Sequence, residues 1–87
     1  MPRVFVPVPL QHLTDGVTEV DVQGRTVRGV LRNLAELYPD LADQLRRGDG
    51  LRPGVAVSVD GNMSSQGLLQ SVRDDSEIHF VAAIGGG

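Results

Sequence analysis

Valine recurs at alternate positions at the start of the chain, so Val4, Val6 and Val8 fall on one face of a strand expected over residues 3–8, with Phe5 on the other. Pro7 has no amide proton to give a ladder, and the strand is expected to end near it or to expose that edge. Asp15-Gly16 is turn chemistry. Val20 and Val22 then alternate with Glu19 and Asp21, which predicts a second strand forming a hairpin with the first, closed by Gly24.

Thr26 is placed as the N-cap of a helix reaching about Tyr38, because Val27, Val30, Leu31, Leu34, Leu37 and Tyr38 recur at helical spacing. Arg28, Arg32 and Glu36 fall on the opposite, solvated face, and Pro39 ends the run. Leu41 to Leu45 suits one further turn, and Gly48, Gly50, Pro53 and Gly54 read as a loop. Val55, Val57 and Val59 predict a strand ending in an Asp60-Gly61-Asn62 turn. From Met63 to Val72 no period dominates, and Leu68 and Leu69 are expected to tie a short strand or turn to the core. After a turn at Asp74 to Ser76, Ile78, Phe80 and Ala82 alternate with His79, Val81 and Ala83 in a last strand. This order predicts an α+β fold, one main helix packed on one face of a mixed sheet of four to five strands, with a single domain over residues 1–83 and a glycine tail over 84–87.

Composition narrows the function. With 87 residues there is room for one modest core. A net charge of −3 is the wrong sign for a protein that neutralises phosphates, and the only aromatics are Phe5, Tyr38 and Phe80, so a nucleic-acid partner is not expected. All eight basic residues are arginine, and cysteine is absent, which removes disulfides, thiolate metal sites and a cysteine nucleophile. No apolar run approaches the ~20 residues that span a bilayer, and Pro2, Pro7 and Pro9 interrupt any secretory signal. A cytoplasmic protein is the expectation.

The remaining side chains offer little chemistry. His12 and His79 have no serine or metal-ligand partner at a telling spacing, and are read as ordinary polar histidines. Asp74 and Asp75 precede Ser76 as turn residues do, and the glycines from Gly48 to Gly54 lack the Lys-Ser/Thr pair and following helix of a phosphate loop. No catalytic residue, metal site or bound cofactor is expected.

Ile84-Gly85-Gly86-Gly87 is different. It runs straight on from a predicted strand, and four extended residues reach about 13 to 14 Å. Glycine alone lets a chain thread a narrow channel in a partner, so the reacting group is expected to be the Gly87 carboxylate, while Gly86, Gly85 and Ile84 contact that partner. Ionised at neutral pH, the carboxylate is a poor electrophile and needs activation, ordinarily as an acyl adenylate. Val81, on the outward face of the last strand, is expected to add an apolar contact to the partner.

Taken in order, the Thr26-Val27 helix start, the Tyr38-Pro39 stop, the Val55 to Gly61 strand and turn, the Asp74 to Ile78 turn and the final glycine pair resemble the ubiquitin-like β-grasp sulfur carriers, which include the small subunit of molybdopterin synthase and the thiamine and cysteine sulfur carriers. Val6-Pro7, Thr14-Asp15-Gly16, Leu51-Arg52 and Gly67-Leu68 are most similar to the carriers of cysteine biosynthesis. The resemblance implies a β-grasp fold and a co-substrate rather than an enzyme. Gly87 would be adenylated by an E1-like enzyme that consumes ATP, converted to a thiocarboxylate, and presented to a sulfur-accepting enzyme. Family tails often carry prolines and an alanine where this chain has Ala82-Ala83-Ile84-Gly85-Gly86-Gly87. Two other readings remain open here: a protein modifier that forms an isopeptide bond through Gly87, and a β-grasp interaction module with an inert tail.

Overall fold

Strand β1 (Arg3–Phe5) buries Val4 against the core, and Pro7 ends the extended run. The chain then winds into a 3-10 turn over Val8–Thr14, with proline in its first positions. Val8 therefore does not share the buried face of Val4 and Val6. It is 79% exposed, because the chain changes direction before its side chain reaches the core. Leu10 and Thr14 face inward instead, and the Thr14 hydroxyl lies 2.8 Å from the Val17 carbonyl, which keeps its burial from stranding a polar group. Asp15 and Gly16 take positive φ of 54° and 86°, and β2 (Glu19–Asp21) returns antiparallel to β1 with Val4 opposite Val20. The predicted pairing is present; its connection is a wound segment rather than a tight turn. The computed structural model describes residues 1–82.

Thr26 caps helix α1 (Val27–Leu37), its hydroxyl accepting from the Gly29 amide at 3.1 Å. Val27, Val30, Leu31 and Leu34 form the buried stripe. Leu37, at the edge of that stripe in the last turn, is 58% exposed and leaves the core. Pro39 both stops α1 and starts α2 (Pro39–Leu45), since its missing amide proton costs nothing at a first helical position. This helix is longer than the single turn expected and buries Leu41, Ala42 and Leu45. The glycine-rich segment after it holds a small hairpin, β3 (Arg46–Arg47) with β4 (Gly50–Leu51), where the sequence predicts only a loop.

Strand β5 (Val55–Val59) turns through Asp60 and Gly61 into β6 (Asn62–Met63), so Asn62 is a strand residue rather than a turn residue. A 3-10 turn at Gly67–Leu69 buries Leu68 alone; Leu69 is 72% exposed, because successive residues of so short a turn cannot both face inward. β7 (Glu77–Ala82) follows. The main sheet runs β2-β1-β7-β5-β6, with β1 and β7 parallel and the other pairs antiparallel. Val4, Val57, Val59, Ile78 and Phe80 from the sheet join the α1 and α2 side chains in one buried cluster. The fold is a mixed α+β two-layer design with α1 on one face of the sheet.

Candidate functional site

The last strand is the element that positions the candidate site, and it lies in the middle of the sheet. Val4 pairs in parallel with Ile78 on one side, and Val57 and Val55 pair with Phe80 and Ala82 on the other. Held on both edges, β7 is the central strand of the sheet and the last in chain order. Ile84, Gly85, Gly86 and Gly87 lie outside the described residues. Val81 is described: it is 54% exposed, on the face of the sheet away from α1, opposite Ala56 in register.

Alternation along β7 puts Glu77 and His79 on the same outward face as Val81. Charge is concentrated where β7 begins. There Arg3, in register with Glu77, bridges Glu19 at 3.3 Å and Asp21 at 3.2 Å, and the Asp21 hydrogen bond and charge raise the guanidinium pKa. Toward the end where β7 finishes, the surface becomes less charged. The His79 ring lies flat against Phe5, centroids 4.2 Å apart and planes 7° from parallel. Ser58 and then Met63 continue that row across the sheet, and the exposed Val17 lies at the same end through the β1–β2 pairing. Phe5, His79 and Met63 were not singled out by the sequence as a surface. Their signal was the period-2 alternation in their own strands, but their neighbours across the sheet were missing from it.

A second cluster sits where β7 starts. Asp60, in a left-handed turn conformation with φ 53°, accepts from the Glu77 amide and from the Ser76 hydroxyl, each at 2.9 Å. These hydrogen bonds, that of Glu77 first, draw its carboxyl below the ordinary aspartate range, opposed by partial burial and aided by Arg73. Ser76 is buried and also receives the Arg73 amide at 2.8 Å. This network pins the β5–β6 turn to the turn before β7. Asp75 pairs with Arg73 at 3.6 Å, and with Asp74 it occupies the turn expected of them. His12 lies in the Val8–Thr14 turn, on a different element from His79. Among the described residues no group of histidines and carboxylates is placed to hold a metal, and no helix is long and apolar enough to cross a membrane.

Comparison with known proteins agrees with this geometry. The profile of the ThiS family matches residues 4–87. Among solved structures, a chain of the Amycolatopsis orientalis BexX/CysO complex superposes with a TM-score of 0.91 at 24% identity, covering 100% of both chains. Mycobacterium tuberculosis CysO gives 0.85 at 22% identity, covering 97% of this chain and 100% of the other. Small archaeal modifier protein 1 from Methanosarcina acetivorans gives 0.80 at 25% identity, covering 99% and 95% respectively. No curated protein sequence matches. With a profile match over nearly its whole length and the first and last strands paired in parallel beneath one helix, the chain belongs to the ThiS family and has the ubiquitin-like β-grasp fold of the sulfur carriers.

Proposed function

We propose that this protein carries sulfur on its terminal glycine. The supporting observation is the combination of family membership with a central, doubly paired β7, after which the sequence continues as Ala83 and Ile84-Gly85-Gly86-Gly87. In this reading a Gly87 carboxylate oxygen attacks the α-phosphate of ATP in an E1-like enzyme and expels pyrophosphate. Hydrosulfide then adds to the acyl carbon and expels AMP, and loses its remaining proton to leave a terminal thiocarboxylate. A second enzyme accepts that sulfur. The carrier binds no cofactor of its own; ATP is consumed by the activating partner.

Glycine at positions 85–87 suits this chemistry because a Cβ would widen a chain that must enter a partner's channel. The outward face of β7 acts as the grip, with exposed Val81 as an apolar contact near the point of departure. The resemblance of Val6-Pro7, Thr14-Asp15-Gly16, Leu51-Arg52 and Gly67-Leu68 to the carriers of cysteine biosynthesis favours cysteine formation over molybdenum-cofactor formation as the destination. By analogy, a partner enzyme is expected, as BexX accompanies CysO in the Amycolatopsis orientalis complex.

The likeness to an archaeal modifier protein supports a second reading, isopeptide formation between Gly87 and a lysine of another protein. The absence of lysine from this sequence limits that activity to single additions, since no copy offers an internal lysine acceptor. Intact-mass measurement on the chain isolated from its own cells separates the readings. A carrier shows the mass gain of sulfur replacing oxygen, localised to the C-terminal peptide by fragmentation so that oxidised methionine is set aside. A modifier shows covalent higher-mass adducts. A chain with neither form, even when its sulfur pathway is induced, leaves only the interaction module.

A further inference from the structure

On the helix side of the molecule, a cleft of about 400 Å³ is lined by Arg28, Leu31 and Arg32 of α1, Arg46 of β3, Gly48, Leu68 and one carboxylate, Asp49. The stretch from Arg25 to Arg52 holds six of the eight arginines and four of the eleven carboxylates, a net charge of +2 in a chain whose remainder carries −5. Arg28 stands 3.6 Å from Asp49, itself almost fully exposed. Among the described residues, no carboxylate lies within ion-pair distance of Arg32 or Arg46.

This arrangement works against the helix that carries it. Arg28 occupies the first turn of α1, where the helix dipole disfavours a cation, and that turn has no acidic residue. Arg32 follows one turn later on the same face, so the like charges repel. Local conflicts of this kind are characteristic of functional surfaces. Guanidinium groups form paired hydrogen bonds to carboxylates, and Leu69, next to Leu68 in the same short turn, is left exposed. Cations with Leu68 in the cleft wall, and exposed Leu69 next to it in the chain, suit a segment that carries both carboxylates and an aliphatic side chain.

We infer that the Arg28, Arg32 and Arg46 cleft docks an acidic, partly apolar segment of a partner protein. The site lies on the α1 layer, across the core from Glu77, His79 and Val81, so it stays open to a partner while the sheet face is occupied. It stands independently of the chemistry proposed for Gly87.

The test is a titration of the full-length isotope-labelled chain with a synthetic hexaglutamate peptide bearing one leucine, followed by amide and arginine side-chain NMR signals. Saturable shifts are expected at Arg28, Arg32, Arg46, Gly48 and Leu68, with Glu77 to Val81 unmoved. Affinity should fall roughly tenfold in the Arg32→Gln/Arg46→Gln variant, and further in Arg32→Glu/Arg46→Glu. Circular dichroism checks that both variants remain folded, and Arg73→Gln, remote from the cleft, should bind as the parent does. The inference fails if shifts are absent, centre on Arg3, Arg73 or β7, or survive both double variants. An equal response to inorganic phosphate at matched ionic strength would make this a small-anion site and overturn the proposal. Concentration-dependent self-association that occupies the cleft would likewise replace the partner with a second copy of this chain.

Discussion

The Ser76 hydroxyl lies 2.9 Å from the Asp60 carboxylate, joining residues sixteen positions apart at the start of the central strand. The same hydroxyl takes the Arg73 amide, so one buried serine satisfies a donor and an acceptor from two different turns. Ser76→Ala leaves both without this partner and is expected to destabilise the protein by about 1–3 kcal/mol. Urea unfolding measures it; a midpoint equal to that of the parent would show that the network is decorative.

Asp60 makes this network sensitive to acid. Its folded-state pKa is depressed, so its contribution is complete above the unfolded value of about 3.9 and is lost as pH falls through the folded value. Asp60→Asn keeps a residue that tolerates positive φ but removes the charge. The parent should be more stable than this variant at neutral pH, and the difference should shrink below about pH 4. Urea midpoints across that range check it, and a difference that ignores pH counts against the assignment.

Gly24 has a stricter role than ending a strand. A Cβ placed there would stand 2.6 Å from the Val30 amide nitrogen and 2.6 Å from its Cγ2, inside any normal contact. Gly24→Ala must therefore push the segment leaving β2 away from α1, at an expected cost of about 1–3 kcal/mol. Thermal unfolding reports the loss; Gly16→Ala, where the added carbon meets nothing within 4 Å, separates this clash from the strain of positive φ.

Val81→Asp tests the proposed grip. The side chain is mostly exposed, so the stability change should stay within about 1 kcal/mol. Adenylation by the partner enzyme should fall, with the loss in apparent affinity larger than the loss in turnover. An unchanged rate and affinity would remove the outward face of β7 from the docking surface.

Gly86→Val tests the channel. Every buried hydrophobic residue of the described core lies at or before Phe80, so folding should change by no more than about 0.5 kcal/mol. Thiocarboxylate formation should be abolished. Its persistence at the parental level, read by intact mass, would mean that the tail is not threaded through a narrow passage.

Much of the secondary structure was legible residue by residue. Thr26 caps α1 as its position suggested, Pro39 separates two helices, and Ile78 and Phe80 face the core. The errors fall where a local pattern met a geometric limit. Val8 continued the valine alternation, yet Pro7 and the 3-10 turn had already rotated the chain away from the sheet. Leu37 and Leu69 were apolar enough for the core but stand at the edge of a stripe and the end of a short turn. Of the candidate site, Val81 was placed on the outward face correctly, while its surroundings, Phe5 stacked on His79 and Met63 beyond Ser58, come from strands far apart in the chain.

Chain order by itself determined the limits of α1, the alternation of the principal strands, and the absence of thiol and lysine chemistry, because each depends on neighbouring residues or on composition. Only the tertiary structure decided that β7 lies between β1 and β5, that Gly24 faces Val30, and that three arginines share one cleft. These relationships join residues that a period of 2 or 3.6 cannot connect. They arise when burying one apolar stripe against one sheet face forces distant segments to choose their neighbours.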